Sequence, residues 1–262
     1  MIETPPMPVA PATTAAARPD VGQLGVVGVL GGMGPLATID FMHKMLLATP
    51  AASDQEHVPV VVSSIPQVPD RTAAFCGEGD SPVAAMVSSA QRLVRAGVGL
   101  VVISCNTAHL WFDEVHQAIG LPMLHLVDAA LEDALSTAGP NARIGLLATE
   151  ATLASGLYIN RSPSMPNAGA VQWVLPTAHE VIEWVMPGIA AVKAGNLPKG
   201  AELLLLAAQA LQRRGANCLI LGCTEIPLVL DSSNAPMPVI DATAALARRA
   251  VHWSLAQRTA VA

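Results

Sequence analysis

The sequence carries one motif twice. Leu100-Val101-Val102-Ile103-Ser104-Cys105-Asn106-Thr107-Ala108-His109 and Leu219-Ile220-Leu221-Gly222-Cys223-Thr224-Glu225-Ile226-Pro227 each pass from an apolar, β-branched run of strand length through a small residue into cysteine, then into residues that open helices. The two cysteines are 118 positions apart. Val27-Gly28-Val29-Leu30 is echoed by Ile144-Gly145-Leu146-Leu147 at an offset of 117, and the segment ending at Asp128 by the one ending at Asp241 at an offset of 113. Three echoes in one order predict a duplicated half, each cysteine ending a buried parallel strand, where open α/β sheets place their ligands. A helix N-terminus beside each cysteine favours thiolate over thiol. A lone free cysteine is ordinarily inert core filler. Two in matched frames, related by a pseudo-twofold axis, would oppose each other across a cleft.

A chain of 262 residues suits two α/β lobes, each with its own core, and 52% apolar against 13% charged residues excludes disorder. The formal charge of −6 and 3% aromatic content argue against a nucleic-acid partner. No apolar run is long enough to cross a bilayer. Cys76, Cys105, Cys218 and Cys223 lack CxxC spacing, so neither a zinc site nor a disulfide framework is indicated. Residues 1–20, rich in Pro, Ala and Thr, read as a mobile tail on a cytoplasmic protein.

The first strand, to Leu30, leads into Gly31-Gly32-Met33-Gly34-Pro35, where glycines let the backbone approach a ligand and amides could cradle an anion ahead of a helix from Leu36 to Ala48. Gly32 to Ala37 also fits a dinucleotide fingerprint, but the second strand, Val58 to Val62, ends in Ser63-Ser64 where that reading wants an acidic residue. Arg71, on a proline-rich loop, is either a solvated charge or a bidentate carboxylate clamp. A helix from Pro82 to Ala96 stops at Gly97. Asn106 and Thr107 either cap the next helix, expected to reach Ile119, or donate to a ligand; His109, one turn in, reads as packing. A strand from Leu121 to Val127 and a helix from Asp128 to Thr137 cross to the second half.

That half has strands from Arg143 to Thr149 and from Val171 to Leu175, a helix from His179 that Pro187-Gly188 should interrupt, and an apolar helix from Ala201 to Arg214. Cys218 lies five positions before Cys223, hence on the opposite strand face, and is taken as core. Cys76 looks incidental. The closing helix, Asp241 to Gln257, is expected to return to the first lobe. The lobes are then 21–120 plus 239–262, and 121–238.

Inverting an α-carbon without an electron-sink cofactor requires an acid and a base on its two faces. Paired cysteines meet that geometry, one as thiolate and one as thiol, if Asn106, Thr107 and Thr224 supply donors for the carbanionic intermediate. No metal cluster and no pyridoxal lysine are marked.

The glycine loop 31–35, Pro69-Asp70-Arg71-Thr72, Cys105 to His109 and Gly222 to Pro227 together resemble the signatures of the cofactor-independent aspartate/glutamate racemase family, in its aspartate racemase branch, over about Leu24 to Ala250. The resemblance implies two pseudo-symmetric, Rossmann-like α/β domains with parallel-sheet cores around an interdomain cleft, usually a homodimer, interconverting L- and D-acidic amino acids without cofactor. It implies Cys105 and Cys223 as the catalytic pair and Arg71 and Lys193 as carboxylate ligands. Met33, Gly34, Asn106, Thr107, Thr224 and Glu225 are implied as substrate neighbours. Two cations suit a substrate with more than one carboxylate, aspartate first and glutamate next. The rival readings are a racemase or decarboxylase of another activated α-carbon, of hydantoin or malonate type, and a non-catalytic amino-acid or nucleotide sensor.

Overall fold

A computed structural model describes residues 25–139, 142–165 and 171–259; the expected N-terminal tail lies outside them. Two four-stranded sheets form, both wholly parallel. The first has the order β2 (Val60–Ser64), β1 (Val27–Gly31), β3 (Leu100–Ile103), β4 (Met123–Leu124). The second repeats it with β6 (Gln172–Val174), β5 (Arg143–Ala148), β7 (Cys218–Gly222), β8 (Val239–Asp241). Strand order reverses between β1 and β3 and again between β5 and β7. Each reversal opens a crevice beyond the strands' carboxyl ends.

The central strands are apolar on both faces because helices cover both. Val27, Val29, Leu100 and Val102 of the first sheet join Ile144, Leu146, Cys218 and Ile220 of the second in one continuous core. Their alternate neighbours face outward into separate cores: Leu30, Val101 and Ile103 in one, Leu147, Leu219 and Leu221 in the other. Helices α5 (Leu126–Ala138) and α10 (Ala242–Thr259) fill the layer between the sheets. They run side by side, with Arg248 paired to Asp133 and Arg249 to Glu132.

The two helices change sides. α5 follows the first sheet but packs on β5, β7 and β8, whereas α10 ends the second half and packs chiefly on α1 (Pro35–Ala48), while touching β3 and β4 of the first sheet as well as β7 and β8 of the second. Ser254 Oγ donates to the Gly25 carbonyl at 2.6 Å, and Trp253 covers Gly99 so closely that a Cβ there would lie 2.9 Å from the ring. Lys44 on α1 reaches Asp241 at 2.6 Å and Thr243 Oγ1 at 2.9 Å at the start of α10. Strand pairing puts β4 in the first sheet and β8 in the second, a few residues beyond the lobe limits expected at 120 and 238.

Several expected elements differ. The helix begins at Leu126, not Asp128, because His125 Nδ1 accepts the Val127 amide at 3.2 Å and caps it, shortening the preceding strand to two residues. Asp241 caps α10 instead, accepting from the amides of Thr243 and Ala244. Asp128 and Asp241 are therefore not equivalents, which is why their offset falls out of step with the other two. Pro187-Gly188 does not interrupt its helix. A π-turn, Val181–Val185, leads into α8 (Met186–Lys193), which carries Pro187 in its first turn and runs on through it. Gly188 is small because a Cβ would lie 2.9 Å from Leu204 of α9 (Leu197–Arg213). Among the described residues no helix is long and apolar enough to cross a membrane.

Candidate active site

The two crevices meet. β3 delivers Ser104, Cys105, Asn106 and Thr107 at its carboxyl end; β7 delivers Cys223, Thr224 and Glu225. Gly222 is required at the junction, since a Cβ there would lie 2.8 Å from Leu146 Cδ1. Cys105 and Cys223 are 6% and 5% exposed and line the same small cavity, of about 10 Å³. Each is followed first by a 3-10 turn, Thr107–Trp111 and Ile226–Leu228; the first runs on into an α-helix, Phe112–Ile119, that ends where the sequence predicts. At Cys223 the aligned peptide dipoles invoked to favour thiolate are correspondingly short.

At Cys223 the surroundings favour the thiol over the thiolate. Its Sγ–H donates to Glu225 Oε2 at 3.0 Å, and Thr224 Oγ1 donates to the same oxygen at 3.2 Å. Burial, and after it the Glu225 carboxylate, push the thiol's pKa well above its ordinary value, with Lys193 opposing them. Cys223 is a thiol in the resting protein.

The glycine loop brings the two halves together at this point. Gly34 is close enough to Glu225 that a Cβ would lie 3.3 Å from Oε1, and Met33, 2% exposed, lines the inner cavity. Gly32 has a packing role, and its amide is not free for the anion cradle read from the sequence. Gly32 (φ +89°) lies against the Ile65 backbone, 2.3 Å from where its Cβ would be, and its amide is taken by Thr38 Oγ1 at 2.8 Å.

Arg71 opens α2 (Arg71–Cys76), which Asp70 caps by accepting from the Thr72 and Ala73 amides, both at 2.9 Å. It is not a solvated surface charge. Only 9% exposed, it spends Nη1 on the carbonyls of Val68 (3.2 Å) and Pro69 (3.0 Å) and leaves Nε without a partner. Asn106, 2% exposed, receives the Tyr158 hydroxyl on Oδ1 and leaves Nδ2 without a partner. Among the described residues these are the two fully buried side-chain N or O atoms lacking a hydrogen bond, and both belong to residues lining the cavity. An unmet buried donor costs about 1–3 kcal/mol, so both await an acceptor.

The other expected donors are engaged. The Thr107 hydroxyl lies 2.9 Å from that of Thr149 and 3.1 Å from that of Thr152, which are 3.0 Å from each other in a closed ring across the two halves. Lys193, in the last turn of α8, is exposed and lines both the inner cavity and a larger one of about 520 Å³ that shares Asp70, Arg71 and Glu225 with it. Among the described residues neither Lys193 nor Arg71 forms an ion pair, and no three His, Cys, Asp or Glu side chains are placed to hold a metal ion.

His109, Cys218 and Cys76 lie outside this cavity. His109, 3% exposed, accepts the Leu126 amide on Nε2 at 3.1 Å, so Nδ1 carries the proton and donates to the Cys105 carbonyl at 2.8 Å. It holds the main chain of Cys105 from behind. Cys218 is in the central core, where burial pushes its thiol up to about 11. Cys76 is exposed at the end of α2.

Residues 30–250 match the model of the Asp/Glu/hydantoin racemase family. The chain belongs to that family. It is an amino-acid racemase. It is 28% identical over 237 residues to the broad specificity amino-acid racemase RacX of Bacillus subtilis, covering 87% of this chain and 97% of the relative. The aspartate racemase of Picrophilus torridus superposes with a TM-score of 0.78 at 31% identity, over 87% of this chain and 94% of that one. The glutamate racemase of Thermus thermophilus, at 18% identity and a TM-score of 0.57 over 89% and 82%, shares the fold.

Three residues that shape the racemase's cavity escape sequence reasoning. Asp70 sits before Arg71 in a recognisable capping position, and Thr149 is visible as a hydroxyl after β5. Tyr158, the chain's one tyrosine, is fully buried and carries no local signal of its bond to Asn106.

Burial lowers His109 to about 4 from 6.5, so between those values the unfolded chain binds a proton that the folded one refuses. This contribution to stability is complete above the unfolded value and is lost as pH falls toward the folded one, to the extent of about 3 kcal/mol. Urea unfolding at pH 7 and pH 4.5 should show the loss, and His109→Gln should reduce it, leaving the share of His125, whose ring burial also holds well below its ordinary value; an equal loss in both proteins would remove His109 as a source.

Proposed function

We propose that this racemase interconverts L- and D-aspartate, with glutamate as second substrate, by a two-base reaction between Cys105 and Cys223 and without cofactor. The observation that carries the reading is that both thiols, from equivalent strand ends of the two halves, share one cavity with two unmet buried donors and an unpaired lysine. Acidic substrates are the chemistry of the named relatives from Picrophilus torridus and Thermus thermophilus.

The resting thiol at Cys223 sets the first direction. Cys105, as thiolate, takes the α-proton and becomes a thiol; the electron pair left on Cα is shared with the α-carboxylate. Cys223 then delivers its Sγ proton to the opposite face and becomes a thiolate, its charge offset by Lys193. The inverted amino acid has the same atoms as the substrate, and solvent exchange at the two sulfurs resets the site. Nε of Arg71 and Nδ2 of Asn106 are suited to the carboxylate as it gains charge, where preorganised donors in a dry site act most strongly. Lys193 is suited to the second carboxylate.

Incubation with L-aspartate in heavy water should place deuterium at Cα and yield the D form without pyridoxal phosphate. Cys105→Ala and Cys223→Ala should each lose at least a thousandfold in racemisation while keeping their circular dichroism; wild-type rates in either remove the two-base assignment. Arg71→Leu should lower kcat/KM for aspartate by tenfold to a hundredfold, a charge-assisted hydrogen bond being worth roughly 1.5–3 kcal/mol. An unaltered kcat/KM would mean the guanidinium does not touch substrate.

The reading extends to a homodimer. Ile39, Leu46 and Leu47 lie along the outer face of α1 at 66%, 53% and 68% exposure, a row that a second copy would cover. Sedimentation at micromolar concentration should give twice the chain mass, and Leu47→Asp should give monomers. A monomeric wild type ends this part of the proposal.

A further inference from the structure

The larger cavity is a continuation of the site. It shares the ring of Asp70, Arg71, Lys193 and Glu225 with the inner cavity, and the rest of its lining is the glycine loop and the carbon side chains of Leu36, Pro66, Val68, Val192 and Leu228. An acidic substrate with Cα between the two sulfurs places its second carboxylate at Lys193 of the ring and goes no further. About 520 Å³ of apolar-walled space then stays unused. That volume exceeds what aspartate or glutamate needs, and its walls offer carbon contacts to whatever passes the ring.

Resting on the racemase reading of the cysteine site, we infer that this chamber takes the unbranched apolar side chains of longer amino acids, which the protein racemises alongside the acidic ones. The α-carboxylate of such a substrate keeps the unmet donors of Arg71 and Asn106, and its side chain runs past Lys193 to lie between Val192 and Leu228. Each methylene moved from water to an apolar wall should improve kcat/KM about fourfold.

The test is α-deuteration in heavy water of L-aspartate, L-2-aminobutyrate, L-norvaline and L-norleucine, followed by proton NMR. kcat/KM should rise about fourfold per methylene along the neutral series. Leu228→Gln and, separately, Val192→Thr should cut that rise below twofold per methylene while turnover of aspartate stays within twofold of wild type, which also reports an intact fold. A flat or falling neutral series beside active aspartate overturns the chamber and leaves the cysteine site standing. So does a rise that persists in both variants. Failure of every substrate, aspartate included, overturns the racemase reading and the chamber with it.

Discussion

The geometry of the site depends on one packing arrangement, the burial of α5 and α10 between two parallel sheets. Because α5 follows the first sheet but lies against the second, and α10 follows the second but reaches α1 and the strands of both, the halves are not two cores joined by linkers. Val29 and Val102 of one sheet and Leu146 and Ile220 of the other belong to a single apolar cluster. Full burial of each such side chain contributes roughly 1.5–3 kcal/mol, so the two sheets hold their relative orientation as a cooperative unit. The crevices beyond β1/β3 and β5/β7 are thereby brought together, and the cysteines share a cavity.

Within that frame the two cysteines are alike in backbone and unlike in electrostatics. Cys223 has a carboxylate two residues away that accepts its proton, and a lysine whose charge opposes that carboxylate. Cys105 has its carbonyl held by His109, a neutral, buried ring that hydrogen-bonds main chain and packs against Phe112 and His125. The polar groups around them sort into those already satisfied and those that are not. The ring of Thr107, Thr149 and Thr152 and the Tyr158–Asn106 contact are closed within the protein, and they fix the walls. Arg71 Nε and Asn106 Nδ2 are open. Low dielectric makes such unmet donors costly in the empty protein and effective toward an incoming anion, for the same reason.

Much of this was legible in the chain because strand alternation is a period-2 signal and the strands are long enough to show it. Cys218 and Cys223 fall on opposite faces as their spacing requires, and the echoes at 117 and 118 correspond to paired strands in matching sheets. The echo at 113 misled because aspartate can cap a helix or sit inside its first turn, and both occur here: Asp241 caps α10, while Asp128 lies within α5 and pairs with Arg161. The break expected at Pro187-Gly188 failed for a similar reason. Proline is tolerated in a first turn, and a π-turn upstream makes it one.

The sequence by itself determined the fold class, the duplication and the residues that end the strands, since these follow from local periodicity and from small residues where a Cβ finds no room. Arg71 and Lys193 entered as carboxylate ligands only through what the resemblance to the family implies. Only the tertiary structure decided the state of each polar group. That Thr107 and Thr224 are engaged while Asn106 is open, that Gly32's amide is taken by Thr38, and that Cys223 is a thiol depend on partners from other strands and loops. Hydrogen bonding and desolvation are set by what packs against a group from elsewhere in the chain, and no local pattern encodes that.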